Sequence, residues 1–270
     1  MVIMKVALVQ MASGTDKARN LETSVELFNE AMKQKPEFII FPEYQMFSPD
    51  YADPEGLMMT SEPLDGNFVS TFTELSRKNS VSCLINIAEK NYGTLKPFNS
   101  SILIDDLGMV VGKYRKLHLF DAYSHLESSL YEPGRAPIST VKAKRVGLGL
   151  QICYDLRFPE PARLVKLMGA QILSYQAGWY AGERKLDTWK TLLRARAIEN
   201  GLFVLGTAQC GKEFTGHSMF VSPYGDILAE AENDQCVIAF DLDFSILEKY
   251  AADVPMFKQR RKDLYELSGL

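Results

Sequence analysis

Residues 145–160 read Arg145-Val-Gly-Leu-Gly-Leu-Gln-Ile-Cys153-Tyr-Asp-Leu-Arg-Phe-Pro-Glu160. An apolar, glycine-containing run of strand length ends at Cys153, and Pro159 stands where a first helical turn should begin, a position that tolerates a missing N–H. Leu164, Val165 and Met168 supply that helix with a buried face. A strand passing through a short link into a helix is the building unit of an α/β fold, and α/β proteins place their sites at the C-terminal ends of strands. Backbone N–H groups at such a link stabilise a thiolate and, later, an oxyanion. The competing reading of Cys153 is a buried structural cysteine, the usual fate of this residue and the one assigned to Cys83, Cys210 and Cys236.

Outward from this segment the same grammar repeats. Strand-length runs occur at Val6–Gln10, Phe38–Phe41, Val81–Glu89, Ser101–Ile104, Val110–Tyr114, Val146–Ile152, Ile172–Tyr175, Phe203–Thr207, Ser218–Val221 and Val237–Asp241. Helical patterns lie at Asn20–Lys33, after the capping-type residues Ser13 and Thr15, at Asn67–Asn79, and at Leu186–Asn200, which stops at Asn200-Gly201. From Val81 to Tyr114 three strands follow one another without a helix, joined by turn residues, which reads as antiparallel hairpins. No linker, repeat or charge block divides the chain, so residues 1–270 are expected to form one α/β domain. Ten strands are many for one open sheet, which favours two.

Composition narrows the function. A length of 270 residues, 46% hydrophobic and 24% charged, describes a globular chain with a substantial core. The formal net charge of -4 gives no reason to expect nucleic acid, and the basic run Lys258–Lys262 reads as a solvated or ion-pairing surface. No stretch approaches the roughly 18 apolar residues that span a bilayer, so no membrane association is expected. The opening residues read as a strand rather than a signal peptide. Four scattered cysteines without a CxxC pair suit free thiols in a reducing, cytoplasmic compartment.

Several site signatures fail. Gly147-Leu-Gly149-Leu-Gln-Ile152 has isoleucine where a dinucleotide fingerprint needs its third glycine, and Gly216-His217-Ser218-Met219-Phe220 lacks the closing glycine of a serine-hydrolase elbow. His118, His125 and His217 have no metal-ligand spacing, so no metal is expected. A papain-like pairing of a cysteine with one of them stays open on spacing alone. Two further segments place chemistry just past a strand: Phe38-Ile-Ile-Phe41-Pro42-Glu43 ends in a carboxylate, and Val110–Tyr114 runs into Arg115-Lys116-Leu-His118. Singly, Glu43 and Lys116 are ordinary surface charges; with Cys153 they are a carboxylate, an ammonium and a thiol at three strand ends.

The segments Phe41-Pro42-Glu43, Tyr114-Arg115-Lys116-Leu117-His118-Leu119 and Cys153-Tyr154-Asp155-Leu156-Arg157-Phe158-Pro159-Glu160 resemble the three signature segments of the nitrilase superfamily of carbon–nitrogen hydrolases. The resemblance runs from Val6 through Arg194–Asn200 to Arg260–Tyr265, and the text around Lys116 and Cys153 looks most like the amidase branch that includes omega-amidase. It implies a four-layer α-β-β-α sandwich, a Glu43–Lys116–Cys153 triad and no cofactor. A second glutamate is expected after the lysine, with Glu127 favoured over Glu132. It further implies attack of Cys153 on a small amide, with Tyr154 lending a backbone donor, Arg157 meeting a substrate carboxylate and Trp179 lining the pocket. The competing reading of Arg157 is an ion pair with Asp155 or Glu160. Relatives often carry a proline after the next strand, whereas this chain reads Ser174-Tyr-Gln-Ala-Gly-Trp179-Tyr180. A nitrile or N-carbamoyl substrate with the same triad is the alternative reaction, and a non-catalytic scaffold the distant one. The resemblance also implies a homodimer built on Pro159–Met168 and Leu186–Asn200, with the tail Val254–Leu270 lying across the partner.

Overall fold

The computed structural model describes residues 3–136 and 138–261. In chain order the elements are β1 (Ile3–Gln10), α1 (Lys17–Met32), β2 (Phe38–Ile40), α2 (Pro54–Thr60), α3 (Asn67–Asn79), β3 (Ser82–Glu89), β4 (Phe98–Ile104), β5 (Val110–Arg115), β6 (Thr140–Ala143), β7 (Val146–Ile152), α4 (Pro159–Leu167), β8 (Ile172–Ala177), α5 (Lys185–Asn200), β9 (Phe203–Ala208), β10 (Met219–Val221), β11 (Ile227–Glu230), β12 (Cys236–Asp243) and α6 (Ser245–Asp253). The strands form two six-stranded sheets, ordered β12-β1-β2-β3-β4-β5 and β11-β10-β9-β8-β7-β6. Each has a parallel centre, β1-β2-β3 or β7-β8-β9, flanked by antiparallel strands.

Alternation along the strands builds the layers, because successive side chains point to opposite faces. Val6, Leu8, Phe38, Ile40 and Leu84 of the first sheet meet Leu148, Leu150, Ile172, Phe203 and Leu205 of the second in one core between the sheets. The intervening residues Ala7, Val9, Ile39 and Ile85 face outward and are covered by Leu27 and Phe28 of α1 and by Phe68 and Phe72 of α3. On the far side Ile152, Leu173, Tyr175 and Val204 are covered by Ala162 and Val165 of α4 and by Trp189, Leu193 and Ala197 of α5. Three apolar seams between four layers make an α-β-β-α sandwich. Gly149 of β7 belongs to this packing: a Cβ there would lie 2.6 Å from Val165 of α4, so the glycine admits a helix rather than a nucleotide.

The structure departs from the sequence reading in places. Twelve strands occur among the described residues, because β6 and β11 are four-residue edges without a clear apolar pattern. α2 and α6 were also unforeseen. The cap of α1 is Asp16, whose side chain accepts from Arg19 N; Ser13 instead spends its N–H on Gln209 Oε1. The stripe Trp189, Leu193 and Ala197 is core of this chain rather than a dimer face. Of the tail, residues 254–261 lie beyond α6 with Phe257 beside the Arg163 and Lys166 cations, and Lys262–Leu270 fall outside the described residues.

Candidate active site

The site forms where strand ends from both sheets converge. β2 points parallel to β3, and β5, two antiparallel steps away, points the same way. Glu43 and Lys116 therefore emerge at one edge of the first sheet, while Cys153 follows β7 and Gly178 follows β8 in the second. The Gly178 N–H donates to Glu43 Oε2 at 2.6 Å, so the two edges meet.

Local backbone fixes each group. Cys153 has φ +46° and opens a 3₁₀ turn over Cys153–Arg157; Tyr44, next to Glu43, has φ +61°. Such left-handed residues without glycine are held by their surroundings and gather at functional sites. Tyr44 donates its N–H to Asn86 Oδ1 at 2.8 Å. The turn bearing Cys153 is pinned by buried Asp155, which accepts from Ile152 N at 3.0 Å, His118 N at 3.0 Å, His118 Nδ1 at 2.7 Å and Tyr114 Oη at 2.7 Å. Since Tyr114 and His118 bracket Lys116, one carboxylate registers the Cys153 turn against Lys116.

Lys116, Glu43 and Glu127 are buried and bonded together. Lys116 Nζ lies 2.8 Å from Glu43 Oε1, and 2.9 and 2.7 Å from the two oxygens of Glu127. Asn99 Nδ2 bridges both carboxylates, at 2.7 Å to Glu43 and 3.3 Å to Glu127. Phe120 N donates to Glu127 Oε2 at 2.6 Å. Burial opposes the charged form of Lys116, yet Glu127 and Glu43 hold its pKa well above the ordinary range. Burial raises Glu127; Lys116 opposes the shift and the Glu43 charge adds to it. The Cys153 thiol is pushed well up by burial and then by Glu43, with Lys116 acting the other way. The protonated thiol is thus the favoured form of Cys153. Among the described residues the Glu132 side chain makes no hydrogen bond or ion pair with Lys116, Glu43 or Glu127, and its backbone bridges to Phe98.

Above the thiol lies a narrow pocket of about 10 Å³ lined by Phe120, Cys153, Tyr154, Arg157, Gly178, Trp179, Tyr180 and Lys185. Tyr154, Arg157 and Trp179, singled out from sequence, all line it. Asp155 is committed to its four donors and Glu160 is exposed, and among the described residues Arg157 makes no ion pair with either. Its guanidinium sits 5.3 Å from the Trp179 ring, and its Nε is buried without a hydrogen-bond partner. The Trp179 indole N–H donates to Lys185 O at 2.9 Å, leaving its ring as a wall. Sequence reasoning missed Asn99, Phe120 and Lys185, of which Phe120, just past the Tyr114–Leu119 motif, carried a positional hint; Gly178 and Tyr180 flank Trp179 in the stretch read as pocket lining. No group of three metal-ligating side chains occurs among the described residues.

The carbon-nitrogen hydrolase family model matches residues 5–252, and the chain belongs to that family. It is an enzyme that hydrolyses carbon–nitrogen bonds. It is 36% identical, over 98% of its length, to the nitrilase and fragile histidine triad fusion protein NitFhit of Drosophila melanogaster, of which it spans 59%. It is 34% identical to the deaminated glutathione amidase of Bos taurus, covering 96% of this chain and 83% of that one. The omega-amidase NIT3 of Saccharomyces cerevisiae is 33% identical over 97% of this chain and 94% of its own. The crystal structure of Saccharomyces cerevisiae Nit3, a member of branch 10 of the nitrilase superfamily, superposes with a TM-score of 0.86 at 30% identity, covering 96% of this chain and 97% of that one. No described helix is long and apolar enough to cross a membrane.

Proposed function

We propose that the chain hydrolyses a small carboxylate-bearing omega-amide to its acid and ammonia, through a thioester on Cys153. The observation that carries this reading is Lys116 bonded to both Glu43 and Glu127 beneath a buried thiol, with the unpaired Arg157 in the same pocket. The deaminated glutathione amidase and omega-amidase relatives support the amide.

The chemistry follows from the geometry. Glu43 accepts the thiol proton as sulfur attacks the amide carbon, then returns it to the departing nitrogen. The tetrahedral oxyanion is met by Lys116 Nζ and by the N–H of Tyr154, which leads the 3₁₀ turn and has no partner within it. Ammonia leaves and a thioester remains. Water attacks that thioester, its proton passing to Glu43 and then to the departing sulfur. Glu127 holds Lys116 in place with two hydrogen bonds, so the ammonium does not turn wholly toward Glu43. Arg157 takes the substrate carboxylate in its planar fork and fixes the distance from acid to amide. No step calls for a cofactor.

The setting is proposed as the cytoplasm, since all four cysteines are free thiols. A homodimer is proposed on the outward residues of α4 and α5, such as Ile198, which is 43% exposed, rather than on the buried stripe of α5.

The test is ammonia release from succinamic acid and from its methyl ester. Wild type is expected to favour the acid by at least about tenfold in kcat/KM, and Arg157→Ala to lose that preference. Equal rates on acid and ester in wild type would remove the carboxylate from the assignment.

A further inference from the structure

The pocket holds a second cation that the mechanism above does not use. Lys185, the first residue of α5, lines the same space as Cys153 and Arg157. Among the described residues neither Arg157 nor Lys185 makes an ion pair, although Glu183 and Asp187 stand two residues to either side of Lys185. Glu183 instead pairs with Arg184. The Lys185 ammonium rests on aromatic faces, 3.6 Å from the Tyr123 ring centre and 5.3 Å from that of Phe120. Its backbone carbonyl is fastened to the Trp179 indole, so the residue is built into the pocket wall.

Two unpaired like charges beside one small pocket repel each other. Partial burial holds the Lys185 pKa below its ordinary range, with the Arg157 charge adding to the effect and Cys153 opposing it. An anion seated between the two cations relieves that repulsion, and low-dielectric walls strengthen its attraction to both. The buried Arg157 Nε, without an acceptor, is one half of such a seat.

We propose that Lys185 is a specificity-determining residue that shares the substrate's carboxylate with Arg157: the guanidinium fork takes the two oxygens and the ammonium, leaving the Tyr123 face, closes on one of them. The proposal rests on the carboxylate reading above and adds that a single cation does not suffice. A carboxylate between two cations is held at a fixed distance from Cys153, so the pair also selects for the length of the chain joining acid and amide.

The experiment compares kcat/KM on succinamic acid and its methyl ester for wild type, Lys185→Met, Lys185→Arg, Tyr123→Leu and the double variant Arg157→Ala/Lys185→Met. Lys185→Met keeps the apolar stem and is expected to lose at least about tenfold on the acid and much less on the ester. Lys185→Arg is expected to restore the acid preference, and Tyr123→Leu to leave the acid-to-ester ratio of wild type. If both cations hold one carboxylate, the double variant loses less than the product of the two single losses. Equal losses on acid and ester in Lys185→Met, or a Tyr123→Leu variant that reproduces its ratio, would overturn the proposal and leave Lys185 a loop anchor, with the Arg157 reading intact. A wild type indifferent to the ester would overturn both.

Discussion

The backbone N–H of Gly178 points at Glu43 Oε2 across 2.6 Å, joining the edge of one sheet to that of the other at a buried carboxyl group. With Asn99 and Lys116 on the other oxygen, all three donors orient Glu43 and leave it no room to rotate.

Gly178 is therefore the position at which a small change should act on chemistry. A Cβ there would lie 2.6 Å from the Tyr44 ring, so Gly178→Ala pushes apart the two groups that this hydrogen bond holds together. Losing a hydrogen bond to a charged group is worth about 1.5–3 kcal/mol, so kcat should fall by roughly ten- to a hundredfold. KM should change less. Steady-state kinetics checks this; an unchanged kcat would show that Glu43 is held by its other partners alone.

The two glutamates that follow Lys116 in sequence should separate cleanly. Glu127→Gln removes the charge that holds Lys116 and should lower kcat by about a hundredfold, the scale of losing one transition-state contact. Glu132→Gln, which removes no hydrogen bond to Lys116, should stay within about twofold of wild type. Similar losses in both would contradict the assignment of Glu127.

Much of this site was legible in sequence because Glu43, Lys116 and Cys153 each lie just past the end of a strand-length run. Val146–Ile152 and Asn67–Asn79 were recognisable to the residue, since clean apolar runs stop at Cys153 and at Ser80. Glu43, Lys116 and Cys153 followed from strand ends taken together with the three motifs. The pocket wall was only partly legible: Tyr154, Arg157 and Trp179 stand in or beside strand-end segments, whereas Phe120 comes from a loop and Lys185 from the first position of α5, and only the fold brings those two over the thiol. Asn99 was hidden for another reason, because its bridging role depends on the β3–β4 and β4–β5 registers.

Reactivity of the thiol should depend on Glu43 as a base rather than as a charge. Removing a neighbouring negative charge by itself would lower the thiol pKa and speed alkylation. A proton acceptor lost from a buried neutral thiol has the opposite effect. Glu43→Gln is expected to slow iodoacetamide labelling of Cys153 by about tenfold or more, with the half-exposed Cys236 unchanged as internal reference. Peptide mass spectrometry resolves the four cysteines; faster labelling of Cys153 would contradict the role given to Glu43.

Stability at low pH should be set in part by Glu89, buried and paired with Lys113 and Arg115. Burial alone would raise its pKa, but hydrogen bonds from Arg115, Lys113 and Ser100 outweigh it and bring the group from 4.5 down to about 2. A lowered folded-state value means stabilisation that is complete above the unfolded value and lost as pH falls from about 4.5 through about 2. Glu89→Gln should cost up to about 2–3 kcal/mol at neutral pH, with a gap to wild type that closes toward pH 2. Denaturant unfolding at several pH values checks this, and a gap independent of pH would contradict it.

The central claim is that Cys153 carries the acyl group, and intact-protein mass spectrometry after rapid acid quench tests it most directly. During turnover of succinamic acid, wild type should show a species heavier by the substrate less ammonia, mapping by peptide analysis to Cys153 and absent from Cys153→Ala. That variant should also release no ammonia above background. An adduct on another residue, or ammonia release by Cys153→Ala at a substantial fraction of the wild-type rate, would contradict the account.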